Sequence, residues 1–287
     1  MKRIPGFVLL LLLAAQSATA QQYQVKGIVV SVDRPRNTFM VSHESISGFM
    51  PAMTMPFEVR QAKELDGLVA GAAVEFTLLV DKKTAYAERL RIVQYRGMEA
   101  DPLTASRLKQ LNRIVGGASA DRALAIGDLV PDFTLTDQKG RQVALEGLRG
   151  KVIAINFIYT RCALPTFCLR IANNFAVLQK RFKERLGRDL VLLTVTFDPV
   201  HDTPDVLAQY AEGLKADSEN WRFLTGAVAD VKRVCRLFGV DAFPDEGLMN
   251  HSLHTALIDR QGKLVANIEG NQFTAVQLGD LTAMALR

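Results

Sequence analysis

Short apolar runs alternate with polar, turn-forming segments over the first part of the chain. Between residues 23 and 93, apolar runs of five to eight residues are separated by turn-forming sequences, which is typical of short β-strands. We predict strands at 25–32, 38–42, 53–59, 74–80 and 86–93. Five short strands in one small segment favour a closed all-β barrel of the OB-like type.

From residue 128 onward the pattern changes to alternating strands and amphipathic helices. The run 152–158 is apolar and rich in β-branched residues, as expected of a buried central strand. Thr203-Pro204 is a typical helix start, with a capping residue followed by proline. The alternation predicts a layered α/β domain. Its other expected elements are a hairpin at 133–145, strands at 189–197, 222–224, 253–259 and 263–268, and helices at 169–185, 227–238 and the carboxyl terminus.

The segment 97–127 has no strand pattern and separates the two patterned regions. Residues 102–115 have apolar positions at helical spacing, and Gly116-Gly117 follows them as a flexible break. We therefore predict a signal segment at 1–20, a β-barrel domain at 21–96, a connector at 97–127 and an α/β domain at 128–287. The connector would let the two domains approach each other.

The first twenty residues have the composition of a secretory signal peptide. Lys2 and Arg3 precede a short apolar core, and small residues end at Ala20, after which we predict cleavage. This predicts export to an oxidising compartment, the periplasm, with no membrane span after cleavage. The net charge of +5 includes no basic block, so nothing indicates nucleic-acid binding.

Two of the three cysteines, Cys162 and Cys168, lie in a loop between the predicted central strand and a helix. Thioredoxin-type domains place a reactive thiol pair at such a junction, where the helix amino terminus stabilises thiolates. The loop is therefore suited either to disulfide exchange, with a Cys162–Cys168 disulfide, or to metal binding. Cys235 has apolar neighbours at helical spacing and is predicted to be a buried, inert thiol.

A second group of soft donors lies in the first domain. Met53 and Met55 alternate on a predicted strand and therefore share a face, and His43 comes directly after the previous predicted strand. Thioethers with an imidazole favour Cu(I) over harder cations. The alternative is that these methionines only fill the barrel core.

This segment resembles the periplasmic copper-binding domain of the CusF type, a small β-barrel with a histidine and two methionines as ligands. The family reads His, a short loop, Trp-Pro and then Met-Thr-Met. Here His43, Met53 and Met55 match the ligands, and Met50-Pro51 replaces Trp-Pro. The resemblance implies a Cu(I) site on these residues, with Met50 as a further thioether ligand.

Residues 127–287 resemble the SCO family of thioredoxin-like copper chaperones, which are associated with assembly of the Cu(A) centre of cytochrome c oxidase. The resemblance implies copper, as Cu(I) or Cu(II), on Cys162, Cys168 and His251, and a role for Asp198 in ordering the loop. The family spacing has three residues between the cysteines, whereas this chain has five. The markers are the sequences at 127–133 (GDLVPDF), 157–162 (FIYTRC), 198–204 (DPVHDTP) and His251 with 257–259 (LID).

Two main functions follow. The first is a metallochaperone without turnover, whose acceptor is a cytochrome c oxidase subunit or another cuproprotein. The second is an enzyme, a thiol-disulfide oxidoreductase that reduces the copper-ligand cysteines of its target, with Cys162 attacking and Cys168 resolving. Against the oxidoreductase, the chain lacks Cys-X-X-Cys, and His254 stands where oxidoreductases carry a cis-proline.

A thiol peroxidase is a third alternative, because peroxiredoxins share the opening sequence at 127–133. His201 is predicted to be solvated. His254 is predicted to be structural, with a fourth metal ligand or a pocket wall as the alternatives.

Overall fold

The computed structural model describes residues 21–81, 84–93, 123–162, 164–245 and 248–287. The predicted signal peptide and the predicted connector helix lie outside these residues. No helix within them is both long and apolar enough to cross a bilayer. The first domain consists of strands β1 (Gln21–Asp33), β2 (Thr38–His43), β3 (Met53–Glu58), β4 (Ala73–Val80) and β5 (Ala85–Ile92), which confirms the five predicted strands.

These strands form one sheet in the order β3-β2-β1-β4-β5, with antiparallel neighbours. A parallel bridge between Val59 and Ala87 brings the two edges together and closes the barrel. Gly27 lets β1 and β2 approach closely, because a Cβ there would lie 2.6 Å from the Ser42 carbonyl oxygen and 2.8 Å from the His43 Cα. The predicted all-β barrel is therefore confirmed.

The second domain is a seven-stranded mixed sheet in the order β14-β13-β8-β9-β10-β6-β7, with helices on both faces. Strands β8, β9 and β10 are parallel, and every residue of β8 and β9 is buried. This confirms the α/β thioredoxin-like prediction. Its strands are β6 (Thr134–Asp137), β7 (Gln142–Ala144), β8 (Val152–Ile158), β9 (Leu190–Thr196), β10 (Trp221–Thr225), β11 (Ala242–Asp245), β12 (Leu248–His251), β13 (His254–Ile258) and β14 (Leu264–Glu269), and its helices are α1 (Arg170–Arg181), α2 (Pro204–Gly213), α3 (Val228–Leu237) and α4 (Ala275–Ala285).

Two local features differ from the sequence prediction. Helix α1 ends at Arg181, earlier than the expected Arg185, and Phe182 leaves the helix in a turn. The separate hairpin of β11 and β12 was not predicted. Its strands have only four residues each and include Pro244, so they carry too little alternation to be recognised.

The two domains are in contact. Ile28 and Val30 of the barrel belong to the same apolar cluster as Leu278 and Leu281 of the terminal helix. Residues 123–127, at the end of the predicted connector, pack on the second domain through Leu124 and Ile126. One apolar cluster therefore joins the two domains, while the barrel keeps a separate core of its own.

Candidate metal centres

The cysteine loop begins where the buried strand β8 ends. It leads into helix α1 through a π-helical turn, Pro165–Leu169. Within that turn Phe167 has non-helical backbone angles (φ −105°, ψ −109°). Cys168 lies in this turn and is buried, while Cys162 is half-buried near the surface. The loop therefore has two residues more than the family spacing and still keeps the two cysteines adjacent.

His251 completes the group. The sulfur atoms of Cys162 and Cys168 and a ring nitrogen of His251 all lie within 4.8 Å of one another. His251 Nδ1 lies 3.2 Å from the Ser252 carbonyl oxygen. Because a carbonyl can only accept, Nδ1 carries the hydrogen and Nε2 keeps the lone pair. Two sulfurs and one imidazole form a trigonal donor set that fits copper.

Two aromatic rings that the sequence prediction missed enclose His251. The ring centroids of Tyr159 and Phe197 lie 5.5 and 4.6 Å from that of the imidazole. Burial, followed by the nearby cysteine charges, raises the pKa of Tyr159 to about 12. Both residues directly follow the parallel strands β8 and β9, which pair up to Ile158 and Thr196. Adjacent parallel strands end at the same sheet edge, so the sequence could have indicated that these two residues lie together at the site.

Two aspartates order the start of the loop. Asp202 is fully buried and accepts hydrogen bonds from the backbone N–H and hydroxyl of Thr160 and from the hydroxyl of Thr196. Asp198 pairs with Arg161 at 2.7 Å, next to Cys162. The position of Asp198 fits the expected role in loop ordering, whereas Asp202 was not singled out.

The two thiols have different acidities. A hydrogen bond from the Cys168 thiol lowers the pKa of Cys162 to about 4; burial opposes this shift, and the nearby His251 side chain supports it. The same Cys162–Cys168 hydrogen bond and burial raise the pKa of Cys168 well above its ordinary value. Cys162 is therefore the thiolate at neutral pH, and Cys168 supplies the proton that stabilises it.

The first domain presents a second donor group. His43 lies directly opposite Met53 in the pairing of β2 with β3, and Met55 follows on the same face. His43 is buried, and its Nδ1 lies 2.6 Å from the Glu44 carbonyl oxygen. Nδ1 therefore donates, and the buried Nε2 is left with no hydrogen-bond partner. A buried imidazole lone pair without a partner, next to a thioether, fits a soft metal ion.

The methionines differ in burial. Met53 is 47% exposed, whereas Met50 and Met55 pack partly against the barrel core. Met50 and Met55 therefore contribute in part to the barrel core, as the core-filling alternative expects, whereas Met53 does not.

The remaining candidates lie outside both groups. His201 Nδ1 lies 2.8 Å from Asp198, and His254 Nδ1 lies 3.1 Å from Asn267 Oδ1. Cys235 is buried, which raises its pKa to about 12.

Comparison with known proteins follows the same division of the chain. The family model SCO1/SenC matches residues 122–285, and the model for the copper binding periplasmic protein CusF matches residues 22–90. The SCO1 protein homolog of Bacillus subtilis is 35% identical over 97 residues, which are 34% of this chain and 49% of that protein. The mitochondrial protein SCO2 of Saccharomyces cerevisiae is 29% identical over 56% of this chain and 54% of its own length.

The chain thus spans about half the length of these curated relatives. Among solved structures, a SCO1/SenC family lipoprotein from Bacillus anthracis is 29% identical with a TM-score of 0.49, over 55% of this chain and 93% of that one. The copper-bound ScoI of Arabidopsis thaliana is 25% identical with a TM-score of 0.48, over 56% of this chain and 98% of that one. Because the SCO1/SenC model matches more than half of the sequence, from the start of the second domain into its last helix, the chain belongs to the SCO1/SenC family.

Proposed function

We propose that this protein is a periplasmic copper chaperone. The barrel would capture Cu(I) on His43, Met53 and Met55, with Met50 as a further thioether ligand. The second domain would hold copper on Cys162, Cys168 and His251. It would deliver this copper to a cuproprotein, cytochrome c oxidase, at its Cu(A) site. The observation that carries the proposal is the convergence of two sulfurs and one imidazole within 4.8 Å.

Family membership supports this class of function. The Sco family is described as one of cytochrome c oxidase assembly proteins, and the model that matches the barrel is that of a copper binding periplasmic protein. The predicted signal peptide agrees with the periplasm. Each donor group has at least two soft sulfur ligands besides its histidine, and sulfur ligands favour Cu(I) over harder cations.

The chemistry of the two groups gives the transfer a direction. Thiolates bind Cu(I) more strongly than thioethers, so copper would move from the barrel to the cysteine site. Both sites lie on one chain, which makes the transfer intramolecular and gives it a high effective concentration.

The first prediction tests the number of sites. Anaerobic titration of the fully reduced protein with Cu(I), against a chromophoric competitor, should show two equivalents of different affinity. Met53→Leu conserves volume but removes a thioether, so it should weaken the weaker equivalent by about tenfold or more.

Met40→Leu is the matched control. Met40 lies on the same strand pair but packs into the cluster shared with the second domain, so both equivalents should keep their affinities. A single equivalent in the parent protein would contradict the proposal.

The acidity of Cys162 favours a second candidate, a thiol-disulfide oxidoreductase that reduces the target's copper-ligand cysteines. The Cys162 thiolate would attack the target disulfide, forming a mixed disulfide and releasing one target thiolate. Cys168, after losing its proton, would displace the second target thiolate and leave a Cys162–Cys168 disulfide. The target gains two electrons, which come from the two cysteines.

This candidate makes a prediction of its own. Cys168→Ala should accumulate a mixed disulfide on Cys162 with a disulfide-bonded target peptide, as detected by mass spectrometry. With Cys168 present, the rate of attack should change less than about threefold between pH 5.5 and 7.5, because a thiol with a pKa of about 4 is already ionised there. A rate that rises tenfold per pH unit would contradict the low pKa of Cys162, and the absence of a mixed disulfide would exclude this candidate.

A further inference from the structure

The terminal helix of the second domain contacts the two strands that carry the barrel's candidate ligands. Asp280 on α4 accepts hydrogen bonds on one carboxylate oxygen from Ser42 Oγ at 2.7 Å and from Thr54 Oγ1 at 2.6 Å. Its other oxygen accepts a hydrogen bond from Arg181 at 2.7 Å. One carboxylate therefore connects both strands to the helix layer of the other domain.

The positions of these hydroxyls relative to the candidate ligands are specific. Ser42 is paired with Thr54 across β2 and β3, and the next pair along is His43 with Met53. Successive side chains of a strand point to opposite faces. Ser42 and Thr54 therefore face the helix, while His43 and Met53 face away from it. A single oxygen that binds both hydroxyls fixes the spacing of the two strands at the residue pair next to the His43–Met53 pair.

The surrounding interface leaves the helix little freedom to shift. Gln277 Nε2 donates to the Ser42 carbonyl oxygen at 3.1 Å. A Cβ at Gly71 of the barrel would lie 2.9 Å from the backbone nitrogen of Asn267 on β14. Ile28 and Val30 pack in the apolar cluster of α4. Close packing of this kind holds a contact residue at a defined position.

We propose that Asp280 is a positioning residue for the barrel's metal site. By bridging Ser42 and Thr54 it holds His43 opposite Met53 in the metal-binding geometry, so the second domain preorganises the site of the first. This inference rests on the proposed function, because it takes His43 and Met53 as copper ligands. Groups that orient metal ligands typically change metal affinity by about 10–100-fold. Because such coupling is reciprocal, copper in the barrel also strengthens the contact between the domains.

The test uses the full-length protein with Cys162→Ala and Cys168→Ala, so that only the barrel site is measured. Asp280→Asn should weaken Cu(I) binding there by about tenfold, because an amide cannot accept from both hydroxyls and from Arg181 with the same oxygens. Thr54→Val should act in the same direction. The double variant Asp280→Asn/Thr54→Val should lose less than the product of the single losses, because both remove the same contact.

Two measurements separate positioning from a general loss of structure. Arg181→Gln removes the other partner of Asp280 but leaves both strand hydroxyls bound, so its Cu(I) affinity should stay within about twofold of the parent. The ε-methyl resonances of Met53 and Met55 should shift on addition of the diamagnetic Ag(I) ion in the parent and in Arg181→Gln. In Asp280→Asn the same shifts should require about tenfold more Ag(I).

The outcomes are distinct. If the parent with both cysteine substitutions binds no Cu(I), the barrel part of the proposed function fails and the inference fails with it. If it binds Cu(I) and Asp280→Asn leaves the affinity unchanged, the inference is overturned while the proposed function stands. An equal loss in Arg181→Gln would also overturn the inference. If Asp280→Asn does not fold, the Cu(I) affinities of Thr54→Val and Thr38→Val are compared instead. Thr38 lies at the far end of the same strand pair, so only Thr54→Val should bind Cu(I) more weakly.

Discussion

Replacing Cys162 by alanine is expected to remove the tighter of the two Cu(I) equivalents, with a loss of affinity of at least about 10²-fold. The substitution removes one of the two sulfurs that lie within 4.8 Å of each other and of the His251 nitrogen. It leaves one buried thiol, Cys168, whose pKa is still raised by burial, and metal binding requires that thiol to lose its proton. Anaerobic competition titration measures the loss.

The control for this substitution is Cys235→Ala. Cys235 is a buried cysteine of α3 that lies outside the cysteine–histidine group. We expect this variant to lose some stability, as a core truncation does, and to keep both Cu(I) equivalents. If Cys162→Ala retains the tighter equivalent, the assignment of Cys162 as a ligand is wrong.

The fold of both domains could be predicted from local patterns. The barrel strands are short and bounded by turn residues, and β8 and β9 are uninterrupted apolar runs that are entirely buried. These patterns depend only on neighbouring residues, so a single sequence is enough to recognise them.

The arrangement of the cysteine site could be predicted only in part. The sequence alone identified Cys162 and Cys168 as a pair at the end of a strand, but His251 was selected by resemblance to a family. The hairpin that carries His251 is too short for its pattern to be read. The return of the loop depends on a π-helical turn with one non-helical residue, and residue spacing does not specify such a turn.

The contact between the domains could not be predicted at all. Asp280 and Ser42 are separated by 238 positions in the sequence, and neither stands out by type or spacing. Polar residues on a helix next to a strand pair are ordinary surface residues until the docking of the two domains is known. Contacts of this range are set by tertiary packing, which local propensity does not encode.

Substitution of Asp202 by alanine is expected to destabilise the second domain by about 4 kcal/mol. Asp202 is fully buried, and its carboxylate accepts three hydrogen bonds, two from Thr160 and one from Thr196. Removing it leaves one buried donor, on Thr196, and two part-buried donors, on Thr160, without this partner. A buried unsatisfied donor costs about 1–3 kcal/mol. Trp221 is the only tryptophan and is buried in β10, so urea unfolding followed by its fluorescence reports on this domain.

Glu212→Ala provides the comparison, because Glu212 is an exposed acid on the nearby helix α2 and should change stability by less than about 0.5 kcal/mol. Asp202→Ala should also weaken the tighter Cu(I) equivalent, since Thr160 anchors the chain two residues before Cys162. A variant of ordinary stability would contradict the prediction. A destabilised variant that binds Cu(I) with unchanged affinity would show that the Asp202 network supports the fold but does not position the two sulfurs.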